Sequence, residues 1–166
     1  AVVPVEPGVE VVHVAAGPTG LAKEDLPTIV DEWADAVAAD ITAHGGTDVI
    51  HANYWLSGVA GHRIKHQLDV PLVVTFHTLA RVKTLAGDLE PEARSRAEAA
   101  VMACSDAVLA SCPAEVSQLV DLYSVPRSRI SSAEFAGAHH SRPSWTHPFM
   151  STPSPGARRS VRLGDQ

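Results

Sequence analysis

Short runs of apolar, often β-branched residues alternate with longer amphipathic stretches along the first 130 residues. Such alternation is typical of β-α units that build a parallel sheet covered by helices. The apolar runs predict strands at 9–14, 48–51, 72–76 and 106–110, and a further strand beginning at 129–130. The second and third runs are apolar at successive positions, as expected when both faces of a sheet are buried. The pattern therefore predicts an α/β fold, with a Rossmann-like parallel sheet flanked by helices.

The amphipathic stretches between these runs predict helices. The clearest one has apolar residues at four-residue spacing along one face, namely Ile29, Trp33, Val37 and Ile41. Two glycines at 45–46 supply the left-handed backbone that ends it. The predicted helices lie at 26–44, 56–67, 91–104 and 111–123.

The chain changes character after Ile130. Residues 131–166 are rich in proline and serine, include three histidines and show no apolar periodicity. Sequences of this kind bury too little apolar surface to fold. We therefore divide the chain into a domain at 1–130 and a disordered tail at 131–166. The four arginines of the tail also allow a basic interaction arm, but a solvated tail is the preferred interpretation.

Composition restricts the partners and the compartment. The chain is 45% hydrophobic and 19% charged, as in globular proteins rather than disordered ones. A formal net charge of −6, with no basic stripe before the tail, argues against nucleic-acid binding. No apolar run approaches the ~20 residues that a membrane-spanning helix needs; peripheral association with a membrane is left open. Cys104 and Cys112 form no disulfide framework, which predicts a reducing cytoplasm.

Polar side chains gather at the predicted carboxyl ends of the strands. In an open α/β sheet, ligands bind at these ends, beside helix N-termini. Lys23, Tyr54, Thr78 and Arg94 would bring two cations, a phenol and a hydroxyl to one cleft. This set suits a phosphate group. Taken singly, each residue has an ordinary alternative, because a cation in a loop is usually solvated and Tyr54 could cap the sheet edge.

The histidines divide into three cases. His77 follows a buried strand, so its ring would lie at the functional end of the sheet, and it is the candidate catalytic residue. His51, at the end of another strand, is better explained as a satisfied histidine near the core. His62 and His66 have the i,i+4 helical spacing that metals use, but the residues between them offer no carboxylate. Without a third ligand a solvated helix face is favoured, and no metal site is predicted.

Four segments of the chain resemble a known enzyme family. They are VHVAAGPTGLAKEDLP, DVIHANYWLSGVAG, PLVVTFHTLARVK and SDAVLASCPAEVSQLVDLYSVPRSRI. Their order and spacing resemble the N-terminal domain of retaining GT-B glycosyltransferases of family 4, over residues 9–130. Within the family they are most similar to the D-inositol-3-phosphate glycosyltransferases of mycothiol synthesis, and also to sucrose-phosphate synthases. The resemblance implies a nucleotide-sugar donor and a phosphorylated polyol or sugar acceptor, with UDP-N-acetylglucosamine and inositol 3-phosphate as the leading pair, and no cofactor.

The resemblance also implies roles for particular residues. In the inositol-phosphate enzymes four residues hold the acceptor phosphate, and the matching residues here are Lys23, Tyr54, Thr78 and Arg94. His77 matches a histidine that lies close to the transferring sugar in relatives. His51 and Asn53 are possible contacts to donor or acceptor. Relatives usually have histidine where Asn53 stands, and asparagine keeps hydrogen-bonding capacity but cannot titrate.

The family has parts that this sequence does not show. Its first strand and Gly-Gly loop should precede Ala1, and the absence of an initiator methionine also indicates an upstream start. After the strand at 129–130, relatives continue through a Pro-Gly-Val-Asp turn into a second Rossmann-like domain that holds the nucleotide. Here the chain reads SSAEF at 131–135, whereas SPGARR at 154–159 again resembles the interdomain stretch. We hypothesise a local frame disturbance between about residues 131 and 153.

These comparisons with the family predict an incomplete enzyme. We expect the chain to be the acceptor-side part of a GT-B transferase, inactive without its C-terminal domain. The alternatives are a non-catalytic module that binds a phosphorylated metabolite, and an inert truncated gene product. The oligomeric state is left open.

Overall fold

The strands of the protein form two separate sheets. The computed structural model describes residues 1–132 and 160–164. In these residues the strands are β1 (Val2–Glu6), β2 (Val9–Val12), β3 (Val49–Asn53), β4 (Leu72–Thr75), β5 (Ala107–Ala110), β6 (Ile130–Ser132) and β7 (Ser160–Leu163). The first two pair with each other, and the other five form one sheet in the order β6-β5-β4-β3-β7. Every neighbouring pair in this larger sheet is parallel, which confirms the predicted α/β fold.

Helices connect the parallel strands and flank the sheet. They are α1 (Val30–Ala43), α2 (Trp55–Leu68), α3 (Ala80–Leu85), α4 (Glu92–Cys104) and α5 (Pro113–Tyr123). Four of them match predicted helices, but the first predicted helix begins as a separate 3₁₀ helix, Lys23–Ile29. The six-residue α3 was not predicted, because so short a helix shows no periodicity. In the described part of the chain, no helix is long and apolar enough to cross a membrane.

Close packing holds α2 against the sheet and against α4. A Cβ atom on Gly61 would lie 2.9 Å from Cδ1 of Leu72, and one on Gly58 would lie 3.1 Å from Cγ1 of Val101. Both separations are shorter than ordinary contacts, so glycine lets the helix approach its neighbours closely. Ile50 and Ile64, on the strand and helix that meet here, are fully buried. This packing fixes the N-terminal end of α2 at the carboxyl end of β3.

The first predicted strand forms, but it pairs with a different strand from the one expected. The run at 9–14 was expected to join the parallel sheet, but it ends at Val12 and pairs antiparallel with β1. All residues of this hairpin are exposed. The two-residue connection Pro7–Gly8 explains the difference, because Gly8 has a φ of 82° and closes the turn. A β-branched run indicates a strand but does not identify its partner.

The prediction of a disordered tail was wrong for residues 160–164. Strand β7 pairs in parallel with β3, with Ser160 opposite Val49 and Leu163 opposite Ala52. Leu163 is buried in the core cluster. Without β7, β3 would be an edge strand with unpaired backbone groups, and pairing satisfies them. The other tail residues, 133–159 and 165–166, lie outside the described residues.

Candidate functional site

The loops that follow β3 and β4 meet at the carboxyl end of the sheet. Tyr54 directly follows β3, and its backbone N–H donates to the Thr75 carbonyl at 2.7 Å. His77 and Thr78 follow β4 in the chain, after Phe76. Parallel strands end at the same edge of a sheet, so both loops begin at one place. Tyr54, His77 and Thr78 therefore lie at the same edge of the sheet, as the sequence predicted.

Two of these residues have unusual backbone conformations. Tyr54 has a φ of 73° and His77 has a φ of 60°, in a region that side chains with a Cβ rarely adopt. The Thr78 N–H donates to the Phe76 carbonyl at 2.7 Å, so His77 is the centre of a γ-turn with positive φ. This is the rarer and more strained of the two γ-turn forms. Such strain is concentrated at functional sites, where the surrounding structure maintains it.

Arg94 contacts Thr78 and is buried beneath the site. Its Nη2 atom lies 3.1 Å from the Thr78 hydroxyl oxygen and 3.3 Å from the Thr78 carbonyl oxygen. Its Nε donates to Glu98 and its Nη1 donates to Glu90, each at 2.9 Å. Burial disfavours the charge of Arg94, but the hydrogen bond to Glu98 and the two nearby carboxylates outweigh it and raise the pKa of Arg94. The guanidinium is therefore charged and fixed in orientation.

Aromatic rings add to the surroundings of this guanidinium. The Arg94 Cζ atom lies 5.3 Å from the centroid of the Tyr54 ring and 5.9 Å from that of Trp55. Both distances fall within the range of cation–π contacts. Tyr54, Thr78 and Arg94, which were selected from the sequence, thus lie together in the fold.

A buried carboxylate organises the layer beneath the site. Glu98 is fully buried and accepts hydrogen bonds from the Ala80 N–H at 2.9 Å and from the Tyr123 hydroxyl. Burial and this hydrogen bond raise the pKa of Tyr123. The sequence did not predict Glu90, Glu98 or Tyr123 as part of the site. The four-residue spacing of Arg94 and Glu98 was the available signal, because residues at that spacing share one face of a helix.

Charge in this layer is nearly balanced. Lys83 forms ion pairs with Glu90 and, at 3.8 Å, with Asp88. The hydrogen bond from Lys83 is the main reason that the pKa of Glu90 is lowered. Lys23, by contrast, is exposed at the first residue of the 3₁₀ helix and forms no ion pair within residues 1–132 and 160–164. In the described part of the chain, no hydrogen bond or ion pair joins Lys23 to Tyr54, Thr78 or Arg94.

His51 is the central residue of β3, and Asn53 is its last residue. The His51 Nε2 and the Thr75 hydroxyl oxygen are 2.9 Å apart, which fits the interpretation of His51 as a satisfied histidine near the core. Burial lowers the pKa of His51, and the proximity of Arg162 and His77 lowers it further. Asn53 pairs with Thr75 in the sheet register and is half-buried. His77 itself is exposed.

Comparison with known proteins gives the family of this fold and site. The family described as "Glycosyl transferase 4-like domain" matches residues 2–132. The D-inositol 3-phosphate glycosyltransferase of Xylanimonas cellulosilytica is 46% identical over 136 residues, which are 78% of this chain and 33% of that protein. The enzyme of the same name from Mycolicibacterium smegmatis is 44% identical over 136 residues, 78% of this chain and 31% of the relative.

A solved structure supports the same assignment. The sucrose-phosphate synthase of Thermosynechococcus elongatus superposes with a TM-score of 0.70 at 26% identity, covering 79% of this chain and 33% of that one. The chain thus spans about a third of the length of the relatives that it matches. The resemblance to family 4 GT-B glycosyltransferases is confirmed. On this evidence the chain belongs to the glycosyl transferase 4-like domain family.

Proposed function

We propose that this domain is the acceptor side of a glycosyltransferase and binds a phosphorylated polyol or sugar. Inositol 3-phosphate is the leading acceptor, because the similar proteins from Xylanimonas cellulosilytica and Mycolicibacterium smegmatis carry that compound in their names. A nucleotide-sugar, with UDP-N-acetylglucosamine as the leading candidate, is the donor. The sugar is transferred with retention of its anomeric configuration.

The observation that carries this proposal is the pairing of Thr78 with Arg94. The Thr78 hydroxyl oxygen accepts from Arg94 Nη2 at 3.1 Å, and Thr78 is itself exposed. A hydroxyl that accepts one hydrogen bond still has its own proton to donate. The pair therefore offers a phosphate an oriented hydroxyl donor next to a fixed positive charge.

The other acceptor residues complete this arrangement. Because Glu90 and Glu98 balance the charges of Arg94 and Lys83, the domain needs another cation to hold a dianion. Lys23 is that cation in this proposal, and it reaches the phosphate from the start of the 3₁₀ helix that precedes α1. The Tyr54 hydroxyl donates to the same group, and its ring lies beside Arg94.

His77 contacts the donor sugar in this proposal, and His51 and Asn53 are secondary contacts. Catalysis in such a site consists mainly of orienting the two reactants and stabilising charge on the departing nucleotide diphosphate. The relatives are about three times as long as the matched region. We infer that a second domain supplies the nucleotide-binding wall, and that residues 1–166 alone do not turn over.

The acceptor proposal is tested by titration calorimetry on the 166-residue chain. We expect saturable binding of inositol 3-phosphate, and much weaker binding of inositol and of inorganic phosphate, because each control lacks one half of the ligand. The same chain mixed with donor and acceptor should release no nucleotide diphosphate. Equal binding of inositol 3-phosphate and inositol would contradict a phosphate site.

A chimera separates a transferase half from a non-catalytic binding module. Residues 1–132 would replace the matching segment of the Mycolicibacterium smegmatis relative, which covers about the same length. We expect the folded chimera to form a glycosylated product from inositol 3-phosphate. A folded chimera that binds the acceptor but makes no product would favour the binding-module interpretation.

A further inference from the structure

Two histidines of α2 and one cysteine of α4 lie together at the protein surface. The ring centroids of His62 and His66 are 5.0 Å apart, and the His66 Nε2 lies 3.1 Å from the Cys104 Sγ. One ligand atom from each of the three residues lies within 4.8 Å of the other two. The prediction of no metal site depended on the lack of a third ligand. The packing of α2 against α4 supplies one, from 38 residues further along the chain than His66.

This cluster is separate from the candidate functional site. His66 is eleven residues beyond Trp55, and thus roughly 16 Å further along the axis of α2 at ~1.5 Å per residue. Cys104 is the last residue of α4 and precedes β5, so it lies near the amino-terminal end of the strands. The site at Tyr54 and Thr78 lies at the opposite, carboxyl-terminal end.

The donor atoms have the chemistry and spacing that zinc requires. Zinc binds imidazole nitrogen at about 2.0–2.1 Å and thiolate sulfur at about 2.3 Å, with tetrahedral geometry. These bond lengths place two nitrogens about 3.3 Å apart and a nitrogen and sulfur about 3.6 Å apart. The observed 3.1 Å between His66 Nε2 and Cys104 Sγ is close to the second value. The three ligand atoms lie within 4.8 Å of one another, so changes in side-chain torsion angles would bring them to these separations.

We propose that His62, His66 and Cys104 bind a zinc ion, with a water molecule as the fourth ligand. The thiol of Cys104 loses its proton to solvent as the sulfur–zinc bond forms, and the two imidazoles bind in their neutral form. The ion joins the C-terminal half of α2 to the end of α4. It therefore stabilises the packing of α2 against α4. These two helices also carry residues of the candidate functional site, namely Trp55 on α2 and Arg94 on α4.

The positive charge next to the His62–His66–Cys104 cluster is smaller than the sequence alone indicates, which favours the binding of a cation. Lys65 lies between the two histidines in the chain, but its Nζ is 2.5 Å from Asp106 Oδ2, so its charge is compensated. Cys104 is half-buried, whereas the other cysteine, Cys112, is exposed on the loop before α5.

Cobalt(II) titration of the metal-stripped 166-residue chain tests this proposal. We expect one cobalt per chain, a thiolate-to-cobalt charge-transfer band, and visible bands of tetrahedral intensity. Zinc should displace the cobalt and raise the melting temperature of the chain. Absence of saturable binding, or binding without a thiolate band, would overturn the proposal.

A set of variants assigns the metal to these residues. Cys104→Ala should abolish the thiolate band, and His62→Gln and His66→Gln should each weaken cobalt binding at least tenfold. Cys112→Ala is the matched control and should retain both band and affinity. Residues 133–159 contain three more histidines, so their joint replacement by alanine is a second control that should change neither. A band that persists in Cys104→Ala and disappears in Cys112→Ala would place the metal elsewhere.

Discussion

Thr78 and Arg94, sixteen residues apart in the chain, meet through two contacts from one guanidinium nitrogen. The Thr78 side chain is at the surface, whereas Arg94 is only 6% exposed. The arginine is thus a fixed charge behind an accessible hydroxyl. This relationship allows ligand binding and stability to be tested with different substitutions.

Thr78→Val should weaken acceptor binding and cost less stability than loss of the Glu98 carboxylate, because Arg94 Nη2 keeps its contact with the Thr78 carbonyl oxygen at 3.3 Å. Valine keeps the shape of threonine but removes the hydroxyl, and a hydrogen bond to a charged group is worth about 1.5–3 kcal/mol. We expect roughly ten- to a hundredfold weaker binding of inositol 3-phosphate by calorimetry. Thr78→Ser should restore most of the affinity. Unchanged binding by Thr78→Val would exclude the hydroxyl as a ligand contact.

Glu98→Gln should strongly destabilise the fold. The substitution leaves the buried Arg94 with one carboxylate less, and breaking a buried ion pair costs about 3–5 kcal/mol. Urea unfolding measures this loss. Glu92→Gln is the matched control on the same helix, because its carboxylate lies 3.8 Å from Arg96 and both side chains are more than two-thirds exposed. We expect the control to change stability by less than about 0.5 kcal/mol. Equal urea midpoints for Glu98→Gln and Glu92→Gln would show that Glu98 does not stabilise the fold through Arg94.

Local patterns account for what the sequence predicted correctly. Apolar periodicity is a property of neighbouring residues, so it identified β3 to β6 and four helices. The same logic placed Tyr54, Thr78 and Arg94 at strand ends and a helix start. Contacts that join distant residues were not accessible in this way. Tyr123 reaches Glu98 from 25 residues away, and no periodicity connects the two.

Competition between partners explains the errors. The run at 9–14 had the composition of an interior strand, but the nearby run Val2–Glu6 and the Pro7–Gly8 turn gave it a local partner. Ser160–Leu163 is short and lies in a polar, proline-rich region, so its composition indicated disorder. Its strand conformation depends on the free edge of β3, which is more than a hundred residues earlier in the chain.

His51 should make stability depend on pH. Its pKa is lower in the folded state, mainly because of burial. The unfolded chain then binds the proton first, so stability is full above the ordinary histidine pKa of about 6.5 and falls as the pH drops below it. Urea midpoints between about pH 7.5 and about pH 5.5 should fall less steeply for His51→Gln, which retains a partner for Thr75. His13→Gln, on the exposed hairpin, should retain the wild-type slope. Identical slopes in all three proteins would contradict this assignment.

Leu163 provides a test of whether β7 belongs to the folded domain. Its side chain is 4% exposed, and it lies opposite the buried Ala52 of β3. Replacing a buried leucine with alanine costs about 2–5 kcal/mol, whereas Ser160→Ala on the exposed start of the strand should cost less than about 0.5 kcal/mol. Urea unfolding gives both values.

A chain ending at residue 159 should also show faster hydrogen exchange at the backbone amides of β3, because the strand becomes a free edge. If Leu163→Ala and this truncation leave stability and exchange unchanged, the strand does not pair with β3 in solution. The larger sheet would then have four strands, and the charge of Arg162 would no longer contribute to lowering the pKa of His51.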